Sequence, residues 1–287
     1  MVTGSKPLSV SIFRSEYHLR ADNAQDESVN GLHCHVNICR SGIQVLKVNK
    51  ELKAVSFRSY LIPHSTSDDV WNEHLSNTFN SAEFSVDLEG LNCSYTLSSS
   101  QVLLIPSALH ARSKTEQNYS FIFGTTDHRH LSEQQLSNTD MVGIHAVPTG
   151  LDQLVERPIG SSFLHLVNQL HSESPKNRAH LIVDGKDFSI ILFKDSKLVF
   201  SNWFLFDTAE DVLYYLMATL ETLDILHTEI EVELSGQIDK GDEAHSVLSK
   251  YLPRISFRKR PRNLSYGYSF NEMPEHRYPF IFATACE

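Results

Sequence analysis

One order of apolar strands, tight turns and a helix start occurs twice along the chain. His35-Val36-Asn37-Ile38 leads through a turn at Arg40-Ser41-Gly42 into Ile43-Gln44-Val45-Leu46-Lys47-Val48. A second turn at Asn49-Lys50-Glu51 opens a long strand from Leu52 to Ile62, and Asp68-Asp69 starts a helix. The same order returns at His180-Leu181-Ile182-Val183, with a turn at Asp184-Gly185-Lys186-Asp187 and a strand from Phe188 to Phe193. Lys194-Asp195-Ser196 then turns into a strand from Lys197 to Phe206, and Glu210-Asp211 starts a helix. Short apolar runs separated by turn residues are a hairpin signal. The repeat specifies an architecture and leaves the reaction open.

Other segments fill in each half. Trp71, Leu75 and Phe79 recur at four-residue spacing, so they share a helix face. Glu83 to Leu88 alternates, with Phe84, Val86 and Leu88 on one side, and predicts a half-buried strand. Strands are also predicted at Tyr95 to Leu97, Val102 to Ile105, Tyr119 to Phe123 and Met141 to Val147. The polar stretch from Asp127 to Asp140 reads as a surface connection, and Thr149 to Val155 as a helix. Phe163, Leu166, Val167 and Leu170 predict a helix, which Ser174-Pro175-Lys176-Asn177 breaks. Thr208 is placed to cap the next helix, with Asp211 three residues on. Ile230 to Leu234 carries acids on one strand face, Ser235-Gly236-Gln237 turns into a helix with Val247 and Leu248, and Arg254 to Phe257 forms a last strand. Pro279 suits the first position of a closing helix to Cys286. The expected division is a loop segment over 1–30, a first lobe over 31–157 and a second over 158–287. A hinge lies within 155–178, and the closing helix is free to pack back on the first lobe.

Composition narrows the setting. A chain of 287 residues can build two cores, and 41% hydrophobic with 21% charged residues is ordinary for a globular protein. A net charge of -10 disfavours nucleic acid and anionic membranes. The N-terminus shows no basic-then-apolar leader, and no apolar run approaches the roughly 20 residues that span a bilayer. A cytoplasmic location follows as the expectation. Cys34, Cys39, Cys93 and Cys286 lack disulfide-framework spacing and read as reduced, mostly buried thiols.

Strand-strand-strand-helix followed by strand-helix-strand, twice in tandem, is similar to the actin-like ATPase fold of the ribonuclease H-like superfamily. The second half resembles an uncharacterised bacterial domain-of-unknown-function family with this fold. The matching stretches are Leu198 to Phe204, Thr208 to Tyr215, Glu233 to Ile238 and Ala283 to Glu287. The resemblance implies an α/β protein of two tandem ribonuclease H-like lobes, with mixed five-stranded sheets flanked by helices. It carries over no assigned activity.

In active proteins of that fold, two hairpin turns hold the phosphates, each offering an acid, a glycine and a small hydroxyl residue. Backbone amides cradle the phosphates and the carboxylates hold Mg²⁺ through water. Here the first turn, Asn37 to Gly42, has no carboxylate; the second keeps Asp184-Gly185; the third, at Gly236, has one glycine where the pattern has two. The expectation is therefore a degenerate member without turnover or cofactor, acting as a scaffold or interaction module for a protein partner. The alternative is a nucleotide binder or slow ATPase that holds ATP with Mg through Asp184, Gly185, Gly236 and Ser41. Asp-Gly is also a common hairpin turn, so Asp184 and Gly185 fit a purely structural role.

Other chemistry is thin. His33 with His35, and His128 with His130, have same-face spacing, but no Cys-x-x-Cys, His-Glu-x-x-His or carboxylate triad joins them. Asp184 is the one acid at a strand end that a two-metal nuclease would use. Cys39 beside Arg40 is either an activated thiol or a buried structural one, the latter favoured. Arg258, Lys259, Arg260 and Arg262 form a basic cluster followed by Tyr266, Tyr268 and Phe270. It reads as a solvated strand end, or as a patch for an acidic protein surface or, more weakly, RNA.

Overall fold

The computed structural model describes residues 15–21, 31–62, 68–124, 129–137, 139–173 and 177–286. The first half contains β1 (Ser15–Arg20), β2 (Leu32–Cys39), β3 (Gly42–Asn49), β4 (Lys53–Leu61), α1 (Asp68–Phe79), α2 (Ala82–Leu88) and β5 (Asn92–Leu97). An insertion follows: β6 (Val102–Pro106), α3 (Thr115–Phe123), β7 (Arg129–Gln135), β8 (Met141–Pro148) and α4 (Thr149–Val155). The half ends with β9 (Ile159–Ser161) and α5 (Ser162–Glu173). The second half contains β10 (Arg178–Asp184), β11 (Asp187–Lys194), β12 (Lys197–Leu205), α6 (Ala209–Thr222), β13 (Glu231–Gly236), α7 (Glu243–Tyr251) and β14 (Ile255–Phe257). β15 (Ser265–Tyr266) and α8 (Pro279–Thr284) close the chain.

The two halves share one strand order. The first sheet runs β4-β3-β2-β5-β9 and the second β12-β11-β10-β13-β14. In each, three antiparallel strands come first, and two more join in parallel beside the first of them. β10 and β11 are buried along nearly their whole length, which explains their continuous apolar runs. The first sheet is wider than the five strands expected, because β1 and β15 both pair with the outer edge of β4.

Each half has its own core. Trp71, Leu75 and Phe84 cover Val36, Ile38 and Val45 in the first. Val212, Leu216 and Leu220 cover Leu181, Ile190 and Leu234 in the second. The helix α6 starts where Thr208 accepts from Asp211 N and Asp211 accepts from Thr208 N, a reciprocal cap. Between the sheets lie α5 and α8. From α5, Phe163, Leu166 and Leu170 pack with Ile182, Ile191 and Phe193 of the second sheet. From α8, Ile281 and Phe282 pack with Leu46 and Phe57 of the first. The last helix of each half thus helps cover the other half's sheet. No helix among the described residues is long and apolar enough to cross a membrane.

Several local expectations are corrected. Within 1–30, Ser15–Arg20 is a sheet strand, anchored by buried Leu19. Residues 83–88 are helical: Ser81 caps Phe84 N, and Val86 is 69% exposed, so the alternation never met a sheet. Tyr119 to Phe123 is also helical: Tyr119 and Phe123 pack ring against ring at one-turn spacing while Phe121 points outward. The polar stretch after 127 contains β7, an edge strand on β8 whose residues are half-buried or exposed. The stretch read as a hinge holds β9, which pairs with β5 in the first sheet beyond the boundary drawn at 157, and α5. Residues 174–176 of the breaker, the acidic run 22–27 and His128 lie outside the described residues.

Candidate functional site

A cleft of about 610 Å³ lies between the halves. Arg40, Trp71, Ser98 and Arg129 line it from the first half, and Asp184, Asp187 and Trp203 from the second. Arg40 lies over the Trp71 ring at 5.2 Å. The indole N–H groups of Trp71 and Trp203 are both buried without an acceptor.

The two repeated turns meet at this cleft. Each is a two-residue turn: Arg40-Ser41 between paired Cys39 and Gly42, and Gly185-Lys186 between paired Asp184 and Asp187. The register therefore matches Cys39 with Asp184. The next strands agree: Ser98 N donates to Ile38 O at 2.8 Å, and Gln237 N donates to Val183 O at 2.7 Å. Where the second turn has its carboxylate, the first has a buried thiol. Burial, with the nearby Asp184 charge adding, pushes Cys39 up to about 12, so it stays a neutral thiol. The activated-thiol reading of Cys39 fails for that reason.

Ser41, Asp184 and Gly185 form one cluster, and Gly236 adjoins it. Ser41 Oγ donates to Asp184 Oδ1 across the halves at 3.2 Å, and Gln237 Nε2 donates to the same oxygen at 3.3 Å. Gly185 N–H donates to Gln237 Oε1 at 3.2 Å. Gly236 N–H donates to His276 O at 2.8 Å. Gly236 has φ +85°, and a Cβ there would sit 2.1 Å from Val183 O, so tight backbone packing accounts for this glycine. Burial raises Asp184 to about 6 despite the Ser41 hydrogen bond, with Asp187 adding to the rise. The first turn thus presents a neutral thiol where the second presents a carboxyl, and the Gly185 and Gly236 amides are already engaged. Gln237 was legible only as a turn residue; its role depends on the parallel register that brings it beside Gly185.

The basic cluster divides in two. Arg258 and Arg260 are buried. Arg258 bridges Glu173 at 3.0 Å and Glu233 at 3.2 Å. Arg260 donates to the carbonyls of Phe270 and Met273 and sits over the Tyr266 ring at 5.4 Å. Two of the four residues expected to form a partner patch are thus framework, and only Lys259 and Arg262 are exposed. His33 and His35 share Ser94, each at 3.1 Å. No group of three or more His, Cys, Asp or Glu residues suited to a metal occurs among the described residues. The four cysteines form no disulfide, and Cys34, Cys39 and Cys93 are buried.

Residues 35–255 match the family model described as Protein of unknown function (DUF3822). The chain belongs to this family. Among proteins of curated function, none matches. A Bacteroides thetaiotaomicron protein with actin-like ATPase fold and unknown function is similar in structure, with TM-score 0.75 at 16% identity over 90% of this chain and 97% of that one. The PilM-PilN type IV pilus biogenesis complex contains a chain similar at TM-score 0.61 and 11% identity, over 89% of this chain and 98% of that one. At such identities the likeness establishes the fold: this DUF3822 member has the actin-like ATPase fold.

Proposed function

We propose that this protein is a non-catalytic actin-like scaffold or protein-interaction module that works in the cytoplasm without a cofactor. One observation carries the reading: the two turns are hydrogen-bonded to each other through Ser41 and Asp184, with Gln237 closing the cluster. A phosphate entering between them would have to break those bonds, and the thiol of Cys39 offers it no metal-holding oxygen. The similarity to a chain from the PilM-PilN complex supports a role in protein assembly by analogy. Exposed Leu109, Phe121 and Ile122 on the insertion add apolar surface of the kind partners cover.

A second reading, nucleotide binding with ATP and Mg and at most slow turnover, draws support from the open cleft and the two unpaired indole N–H groups. Thermal unfolding with millimolar Mg-ATP separates the two. A ligand at 100 times its Kd adds about 2.7 kcal/mol to stability, several degrees in midpoint. The scaffold reading expects no shift with ATP, ADP or Mg alone; a nucleotide-dependent rise establishes the second reading instead.

A further inference from the structure

A second concavity, of about 760 Å³, lies between the C-terminal half of α5 and the chain from β14 to Asn263. Its floor is a network of ion pairs. Arg258 is held by Glu173 and Glu233, His180 Nδ1 lies 3.1 Å from Glu233, and Arg178 reaches Glu231 at 2.6 Å. Arg260 is occupied by two backbone carbonyls. Lys259 and Arg262 are different: both are exposed, and neither has an acidic or hydrogen-bonding partner among the described residues. Five cations and two carboxylates line the groove, and arginines already hold both carboxylates. On a chain of net charge -10 this is a local focus of positive potential.

The groove also runs beside an open backbone edge. β14 is the last strand of its sheet. It engages β13 through Arg254 O and Arg258 N. By alternation, the N–H and C=O groups of Ile255 and Phe257 face away from β13, and no strand among the described residues pairs with them.

We propose that this groove docks an acidic segment of a partner protein, laid in extended form along β14 with its carboxylates on Lys259 and Arg262. An extended peptide satisfies both features, because its backbone pairs with the edge while its side chains meet the cations. RNA uses only the cations, and two free ones on an acidic body make a short track for a polyanion. The inference rests on reading the protein as an interaction module, and names the chemistry of the partner.

The test uses the full chain and fluorescence anisotropy. The probes are a labelled peptide of alternating Glu and Val, its Lys-Val counterpart, and a short single-stranded oligoribonucleotide. The Glu-Val peptide binds and weakens with salt. Lys259→Glu with Arg262→Glu weakens it by about tenfold, and the Gln pair weakens it less. Lys186→Glu, an exposed cation outside the groove, leaves binding unchanged. Absence of Glu-Val binding, an equal loss in Lys186→Glu, or preference for the oligoribonucleotide overturns the proposal. A silent Mg-ATP titration beside absent peptide binding removes the groove alone and leaves the module reading in place.

Discussion

The two sheets can be compared residue by residue, because β2 pairs with β5 in the register by which β10 pairs with β13. His35 of the first matches His180 of the second, and their partners Ser94 and Glu233 match as well. Both histidines face that partner at 3.1 Å. In the first sheet the pair is neutral: burial, with His33 and His165 adding, lowers His35 to about 3. In the second sheet burial also lowers His180, but a carboxylate answers it, and Arg258 and Arg178 surround that carboxylate. At the turns the order is the same, a thiol at Cys39 against a carboxyl at Asp184. The two sheets share backbone register and differ in side-chain chemistry. At the matched positions Ser94, Glu233 and Asp184 each polar side chain has a local partner.

The sharpest way to break this comparison is at Glu233. Burial alone would raise this carboxyl, but the hydrogen bond and charge of His180, with Arg258 and Arg178, hold it at about 2. Glu233→Gln leaves Arg258 buried with Glu173 as its remaining carboxylate and takes the carboxylate from His180. The expected cost is about 3 kcal/mol at pH 7 in denaturant unfolding. The sign with pH follows from the depressed value. The contribution is fully present above the unfolded carboxyl range and fades as pH falls from about 4.5 towards 2. The gap between wild type and variant should therefore narrow below pH 4.5. A gap under about 1 kcal/mol at pH 7 means the network is solvated and the contrast between the sheets is empty.

Asp184 sharpens the comparison from the other side. Its native pKa, about 6, lies above the ordinary 3.8. The folded state binds the proton more tightly than the unfolded chain, so this group becomes a cost as pH rises from about 4 to 6. Asp184→Asn keeps an oxygen for Ser41 and Gln237 and removes the charge. It should stabilise the protein by about 2 kcal/mol at pH 7 and flatten the slope between pH 4 and 6, read from unfolding midpoints across pH. A destabilised variant would show that the ionised carboxylate is wanted there, as in a metal-holding turn.

The framework was legible because repeats of strand, turn and capped helix are local. Thr208 with Asp211, and Pro279 at a helix start, need only neighbouring residues. What stayed hidden depends on contacts distant in sequence. The fates of Arg258 and Arg260 turn on Glu173 and on the carbonyls of Phe270 and Met273. The engagement of the Gly185 amide turns on Gln237, and the match of Cys39 with Asp184 needs sheet register. The strand readings at 83–88 and 119–123 failed for another reason. Alternation over five or six residues also suits a short helix with one buried aromatic per turn, here Phe84 and Tyr119.

The smallest expected effect lies at Ser94, the position matching Glu233. Its hydroxyl joins His33 and His35, whose rings are 4.6 Å apart. Both histidines are only partly buried, so water can replace the lost hydroxyl. Ser94→Ala should cost about 1 kcal/mol, the net worth of a neutral hydrogen bond. Because His35 titrates near 3 in the folded state and near 6.5 unfolded, its neutral form dominates both states above pH 7. The cost should then be equal at pH 7 and pH 9, unlike the acid-sensitive gap at Glu233. A Ser94 variant as damaging as Glu233→Gln, or one whose cost changes between those pH values, would show that the first sheet also carries a buried charge network, and the contrast between the halves would fall.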